Sequence, residues 1–310
     1  METNQTTQYA IEDSIQFLES YPELPIERIE NCRRKWDGFW WHMAALYEMG
    51  EVKQIPESAI TKAKYILEAQ TWPIFIKSAD DQPTTEMDKM KMDCCHCELA
   101  VFYMILMEYG CDLDKELPWI REWFLKHQLS DGGLNCEPDA YTYSNKSSII
   151  STLPPLEAIL WYTNRDFTEE EAFFLDQGAR YLIEHCLVYS KQTGDMLDEE
   201  WLKPVFPRFF EYDILRGMSF LVEWSHRRKK PLPIDILRKG IQLLDSYVEA
   251  TGIRIGRQVF DPKGPWGGHT FALLENVSEI GHVSPYLTKQ FNSVLIQLNL
   301  AQKNKTKTIL

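Results

Sequence analysis

The sequence predicts an all-α fold, an α/α toroid of about five to six helical hairpins around a central cavity, with residues 1–310 as a single domain. Helical periodicity runs along the whole chain, and strand signals are scarce. A short helical pattern recurs roughly every 58 residues, and each copy is followed by a more apolar helix. An inner helix of a toroid can be apolar nearly all round, whereas both helices of an open solenoid pair keep a solvent face. The apolar second helices therefore favour the toroid.

The first helix of each hairpin is a short amphipathic segment. Its copies are 14–19 (the faintest), 63–68, 121–126, 179–184 and 240–245. Apolar residues at Ile11, Ile15 and Leu18 predict the earliest of these helices. Helix starts are predicted at Thr168, which precedes three glutamates, and near the prolines before Ile234.

The second helix of each hairpin is longer and more apolar. These helices are predicted near 36–49, 92–109, 146–162, 209–224 and 268–280, with a closing helix near 285–301. The eight residues 99–106 are all apolar, which suits an inner helix. Because inner helices of a toroid run parallel, their N-termini are expected to meet at one rim of the cavity.

Composition limits the function classes. Lys and Arg total 33 against 46 Asp and Glu, and the net charge of −13 argues against nucleic acid as a partner. The longest apolar run is nine residues, so no transmembrane segment is expected. Seven cysteines do not form a disulfide pattern, and the polar N-terminus shows no signal peptide. A reduced, cytoplasmic protein is expected.

The most distinctive motif lies in residues 123–136, where an aromatic-apolar helix end is followed by Gln128 and by Asp131-Gly132-Gly133. It resembles the repeat of squalene/hopene cyclases and protein prenyltransferase β-subunits, although Leu134 stands where that repeat has tryptophan. The segment 206–217 also resembles small bacterial relatives of the squalene cyclases. In this pattern Gln128 is expected to cap the helix end, and the two glycines are expected to supply positive φ angles.

The resemblance to the terpenoid cyclase and protein prenyltransferase superfamily implies an isoprenoid or other apolar substrate in the cavity. Cyclases that protonate an olefin use an Asp-x-Asp-Asp motif, which is absent here. Asp213 is the candidate acid, with Tyr212 and His96 as further catalytic candidates. The alternative is that Asp213 pairs with Arg216 on its own helix.

Substrate binding is assigned to two cations, three aromatic residues and one acid. Their positions are Arg208, Arg216, Trp40, Trp41, Tyr103 and Asp139. The arginines would hold an anionic group and the aromatic residues would line an apolar cavity. The alternative is that these aromatic residues are core.

A metal site is the third prediction. Protein prenyltransferases hold zinc with an Asp-x-Cys pair at the start of an inner helix, and Asp93 with Cys95 matches that pair. The histidine that completes the family's site has no counterpart. His96 and Cys97, with Cys136 or Asp139, form an alternative ligand set. Zinc is therefore the candidate cofactor, against cysteines that only pack as small apolar residues or act as nucleophiles.

Three function classes follow. The first is an enzyme acting on an isoprenoid or other apolar substrate. The second is a polysaccharide-active α/α barrel with an acidic pair in an open cleft. The third is a non-catalytic toroid that binds a lipid or a protein.

Overall fold

The all-α prediction is confirmed, with one small antiparallel sheet that the sequence does not predict. The structure, a computed structural model, describes residues 5–21, 36–69, 95–260 and 269–308. The helices are α1 (Gln5–Ser20), α2 (Phe39–Glu48), α3 (Glu57–Ala69), α4 (His96–Tyr109), α5 (Leu113–Glu116), α6 (Trp119–Lys126), α7 (Ile149–Tyr162), α8 (Glu169–Glu184), α9 (Ile214–Arg227), α10 (Ile234–Leu243), α11 (Ala272–Val277) and α12 (Pro285–Thr308).

Helix ends follow from local chemistry. The Thr168 hydroxyl accepts from the Glu171 amide while the Glu171 carboxylate accepts from the Thr168 amide, so α8 begins with a capping box. Helix α4 is capped at its N-terminus by Cys95, whose sulfur accepts the Glu98 amide, and at its C-terminus by Gly110 in the left-handed conformation. Every copy of the short repeat lies within or overlaps one of α1, α3, α6, α8 and α10.

The apolar second helices form the centre of the molecule. Helix α4 packs against α2 and α7, and α7 in turn packs against α9. Residues 96–106 of α4 are all buried, which explains why that stretch carries no polar stripe. Two further contacts link the beginning of the chain to its end, since α1 and α2 both pack against α11. There the Thr7 hydroxyl donates to Asn276 over 2.6 Å.

The sheet is short. Strands β1 (Val248–Glu249), β2 (Gly252–Arg254) and β3 (Val283–Ser284) pair antiparallel in that order. These two- and three-residue strands are too short to show a period-two pattern, so no sequence signal marks them. They fix the start of α12, which packs against α9, α10 and β2.

Candidate functional site

Three thiols gather at the N-terminal end of α4. The sulfur atoms of Cys95, Cys97 and Cys136 all lie within 4.8 Å of one another. The Cys97–Cys136 distance is 3.8 Å, and the Cys95–Cys97 distance is 2.9 Å, longer than the roughly 2.05 Å of a disulfide. Cys97 and Cys136 belong to one alternative ligand set expected from the sequence, and the structure brings them together. This group is called the thiol cluster below.

Two elements position the thiol cluster. Cys95 is the N-cap of α4 and Cys97 lies in its first turn. Cys136 follows the Asp-Gly-Gly turn, and its backbone amide donates to the Ser151 hydroxyl of α7 over 3.1 Å. The cluster therefore joins the N-terminal ends of two neighbouring apolar helices.

The three thiols are not equivalent electrostatically. Hydrogen bonds from Cys95 and then Cys97, helped by the Ser151 hydroxyl, hold the pKa of Cys136 well below its usual value against the effect of burial. The hydrogen bond to Cys136 and burial raise the pKa of both Cys95 and Cys97. The cluster therefore favours the ionised form at Cys136 more than at Cys95 or Cys97.

His96 was expected to act in catalysis or as a ligand, but its ring is engaged elsewhere. Its Nδ1 accepts from the indole of Trp123 and its Nε2 lies 3.0 Å from the Tyr141 hydroxyl. Both ring nitrogens thus face aromatic residues rather than the sulfurs. Asp139 lies exposed in the loop that follows Cys136, and the predicted ligand Asp93 lies outside the described residues.

The Asp-Gly-Gly turn packs differently from the sequence expectation. Gly132 has the expected positive φ of 102°. Gly133 does not, and is required for space instead, because a Cβ there would lie 2.5 Å from the Ser147 Cβ and 2.6 Å from the Thr152 hydroxyl. The Gln128 amide donates to the carbonyls of Gly132 and Phe174, so it ties the turn to α8 and does not cap its own helix.

Asp213, the candidate acid, is fully buried. Its carboxylate accepts from the Val205 and Arg216 amides and from two nitrogens of the Arg208 guanidinium, at 2.8–3.0 Å. It caps α9 and is ion-paired. Both oxygens are thus engaged by protein donors, so the contacts of Asp213 are those of a helix cap and ion-pair partner. The expected pairing with Arg216 is made through the backbone of that residue, not through its guanidinium.

The other candidates beside Asp213 are also held by protein groups. The Arg216 guanidinium forms a fork with the buried Glu157 carboxylate, with a shortest distance of 2.6 Å. The Tyr212 hydroxyl donates to the Leu187 carbonyl, and burial raises its pKa well above the usual value.

The aromatic residues expected to line a cavity pack on one another. Trp40 and Trp41 are buried, and both contact Phe209 and Phe210 with ring centroids 4.7–6.1 Å apart. Tyr103 is buried, and its hydroxyl donates to Asp114 over 3.3 Å. These contacts are those of a close-packed core.

A cavity of about 460 Å³ lies at the other end of the apolar helices. Its wall includes the last turns of α2, α4 and α7, residues of α9 and the first turns of α12. Arg208 and Arg216, both predicted as binding residues, line it. Since the thiol cluster joins the starts of α4 and α7 and this cavity joins their ends, the two helices run parallel, as expected.

Sequence reasoning missed Glu48, which also lines this cavity. Its carboxylate accepts the Arg208 amide over 2.8 Å and the Phe209 amide. Burial raises the pKa of Glu48 despite the nearby charge of Arg216. Phe209 has a φ of 57°, a left-handed conformation that bulky residues rarely adopt. Only that local backbone geometry brings both amides to Glu48, so no pattern around residue 48 could have revealed the contact.

Among the described residues, no helix is both long enough and apolar enough to cross a membrane. Comparisons of the chain with protein-family models, with curated proteins and with solved structures found no match.

Proposed function

We propose that the protein binds one zinc ion at the thiol cluster and that the ion is its functional centre. The observation that supports this proposal is that three sulfur atoms, from two separate parts of the chain, lie within 4.8 Å of one another. Zinc takes thiolate ligands at about 2.3 Å in a tetrahedral arrangement, which sets its sulfurs about 3.8 Å apart. The Cys97–Cys136 distance of 3.8 Å matches this spacing. The 2.9 Å between Cys95 and Cys97 would lengthen as both sulfurs turn toward the ion.

Within the described part of the chain, the three thiols fill three positions of a tetrahedral zinc ion and leave the fourth for another group, either the predicted ligand Asp93 or a water or substrate. Structural zinc sites fill all four positions with protein side chains, whereas catalytic sites keep one for water or substrate. Bound zinc would supply Lewis-acid chemistry at that position. The protein's own contribution is to fix the three sulfurs: Cys95 and Cys97 through the first turn of α4, and Cys136 through its amide bond to Ser151.

The helices are proposed to close into the toroid that the sequence resemblance implies. The succession of contacts from α2 through α4 and α7 to α9 and α12, and the packing of α11 on α1 and α2, support this arrangement. An isoprenoid or other apolar substrate is the first substrate class, and its support is the sequence resemblance.

Metal analysis of untagged protein tests the zinc proposal. About one zinc per chain is expected, and Cys97→Ser and Cys136→Ser should each lose most of it because both remove a thiolate ligand. Cys111→Ser is the matched control, since Cys111 is another free cysteine outside the cluster and its loss should leave the zinc content unchanged.

Cobalt(II) titration gives a second readout that does not depend on purification history. Thiolate ligation should produce a sulfur-to-cobalt charge-transfer band in the wild-type protein and in Cys111→Ser, and a much weaker band in Cys136→Ser. A folded, metal-free protein that binds neither zinc nor cobalt would overturn the proposal.

A further inference from the structure

We propose that the cavity at the C-terminal ends of α2, α4 and α7 is a binding site for a neutral saccharide. The cavity shares no residue with the thiol cluster. The two lie at opposite ends of α4, and the thirteen-residue separation between Cys95 and Glu108 corresponds to about 20 Å of helix. The proposal therefore stands independently of zinc binding.

The cavity has the features of a small-molecule site. Its volume of about 460 Å³ falls within the range of roughly 300–1,000 Å³ typical of ligand pockets. Two buried ion pairs, Glu157–Arg216 and Asp213–Arg208, lie at or directly behind its floor. A well-packed apolar core is commonly at least as stable as buried ion pairs, so charges kept beneath a cavity suggest a role in binding. The left-handed Phe209 in the same wall is a second sign, because strained residues cluster at functional sites.

The charges of the cavity favour a ligand without net charge. Both arginines are neutralised by their own carboxylate partners. At the mouth, Glu108 and Lys289 carry opposite charges, and among the described residues neither forms an ion pair. An anion would meet Glu48 and Glu108, and a cation would meet Lys289 and the arginines. Neither sign of charge gains a net advantage.

The polar groups are a mixture of donors and acceptors, as hydroxyl groups require. Glu108 accepts from the Tyr162 hydroxyl, which keeps further acceptor capacity on the carboxylate. The Gln290 oxygen accepts from Arg208 over 2.6 Å, and among the described residues its amide nitrogen has no partner. The Tyr47 hydroxyl lies 3.1 Å from that of Tyr162, so a chain of hydroxyls leads from the wall to Glu108.

Aromatic faces complete the match. Tyr286 is half-buried and stacks on the buried Phe206 with centroids 4.5 Å apart and planes at 6°. One of its faces is thus covered by Phe206, and Tyr286 also lines the cavity. Trp161, also half-buried, lines the same cavity. The negative π-face of an aromatic ring attracts the C–H groups on the flat side of a pyranose.

The binding test uses the full chain and ligand-observed NMR. The probes are glucose, maltose, cellobiose and lactose, with glucuronic acid, glucosamine and phenylalanine as charged or zwitterionic comparators. Saturable binding of at least one neutral sugar is expected, about tenfold tighter than its charged analogues. Preference for a charged analogue or for phenylalanine would overturn the proposal, as would the absence of saturable sugar binding.

A paired substitution on α12 locates the site. Ser293 lies exposed on the cavity wall, and Ser293→Trp should fill the cavity and weaken sugar binding by about tenfold or more. Asn292→Trp is the matched control, because the adjacent Asn292 is also exposed and lies outside the cavity lining. Equal binding by the two variants would place the sugar elsewhere and overturn the proposal. Zinc content should be unchanged in both, so failure of one proposal is distinguishable from failure of the other.

Discussion

His42 is a buried histidine held between two aromatic rings. The rings of Phe17 and Phe271 stack on it with centroids 4.1 and 3.9 Å away. Burial lowers the pKa of His42 to about 3, and a hydrogen bond to the Asp37 backbone only partly opposes that effect. The side chain is therefore neutral at physiological pH, and its role in the described structure is packing.

This histidine should make the protein sensitive to mild acid. Because the folded-state pKa lies below the unfolded value of 6.5, the unfolded chain binds the proton first as the pH falls. The contribution of His42 to the free energy of unfolding is complete above pH 6.5 and is lost toward pH 3, at up to about 1.4 kcal/mol per pH unit. His42→Phe should reduce the pH dependence of urea unfolding between pH 6.5 and 5.

The control for this experiment is His282→Gln, because the side chain of His282 is exposed whereas that of His42 is buried. An unchanged slope in His42→Phe would show that His42 is not the group responsible.

The packing role of a single residue such as His42 is hard to predict from sequence. The position of His42 near the start of an apolar helix places it at the N-terminal rim with other polar residues, and only the stacking of Phe17 and Phe271 distinguishes it from an exposed rim histidine.

At the scale of elements, the turn that carries Cys136 depends on the close approach of Gly133 to α7. A methyl group at Gly133 would collide with the Ser147 and Thr152 side chains, which are short and cannot move far. We expect Gly133→Ala to lower the free energy of unfolding by about 2–3 kcal/mol, as overpacking does. It should also weaken zinc binding, because it pushes Cys136 away from α4. Urea unfolding and zinc titration check the two effects.

Gly50→Ala provides the comparison. Gly50 has a φ of 79°, and no atom lies within 4 Å of the position that an alanine methyl group would take there. The cost is therefore backbone strain alone, about 1 kcal/mol. Zinc affinity should be unchanged. If Gly133→Ala bound zinc as tightly as Gly50→Ala, the turn would not position Cys136.

The elements themselves follow well from the sequence. Apolar periodicity predicts the long helices of the described chain. A one-sided or all-round apolar pattern is visible in the sequence whichever element the helix packs against. The motif also marks Gln128 as a helix-capping residue, but its amide donates instead to the Gly132 carbonyl and to the Phe174 carbonyl, 46 residues away on another helix. A local motif shows that a polar side chain is needed without showing which distant backbone group it serves.

At the scale of the whole molecule, the contacts of α1 should make the chain a single cooperative unit. Leu18 is fully buried, although it lies on the first described helix. Leu18→Ala should destabilise the protein by about 2–5 kcal/mol. Circular dichroism and tryptophan fluorescence should report one coincident transition at lower urea, because α1 packs against both α2 and α11.

Ile296→Ala on the exposed side of α12 is the control, with an expected change within about 0.5 kcal/mol. Two separate transitions in Leu18→Ala would mean that α1 unfolds on its own.

The repeat in the sequence predicts a single domain. It does not predict the polar cavity, because the cavity wall combines parts of five helices with a segment whose conformation depends on Phe209.

The hydrogen bond between Thr7 and Asn276 joins residues 269 positions apart in the chain. Forming a contact between residues so far apart in the chain costs loop-closure entropy. Such contacts therefore lower the folding rate, and we expect them to form after the local hairpins. Interactions absent from the transition state act mainly on the unfolding rate. The contacts between α1 and α11 should therefore control the unfolding rate and with it the lifetime of the native state. The hairpins that lie between these two helices in the chain should control the folding rate.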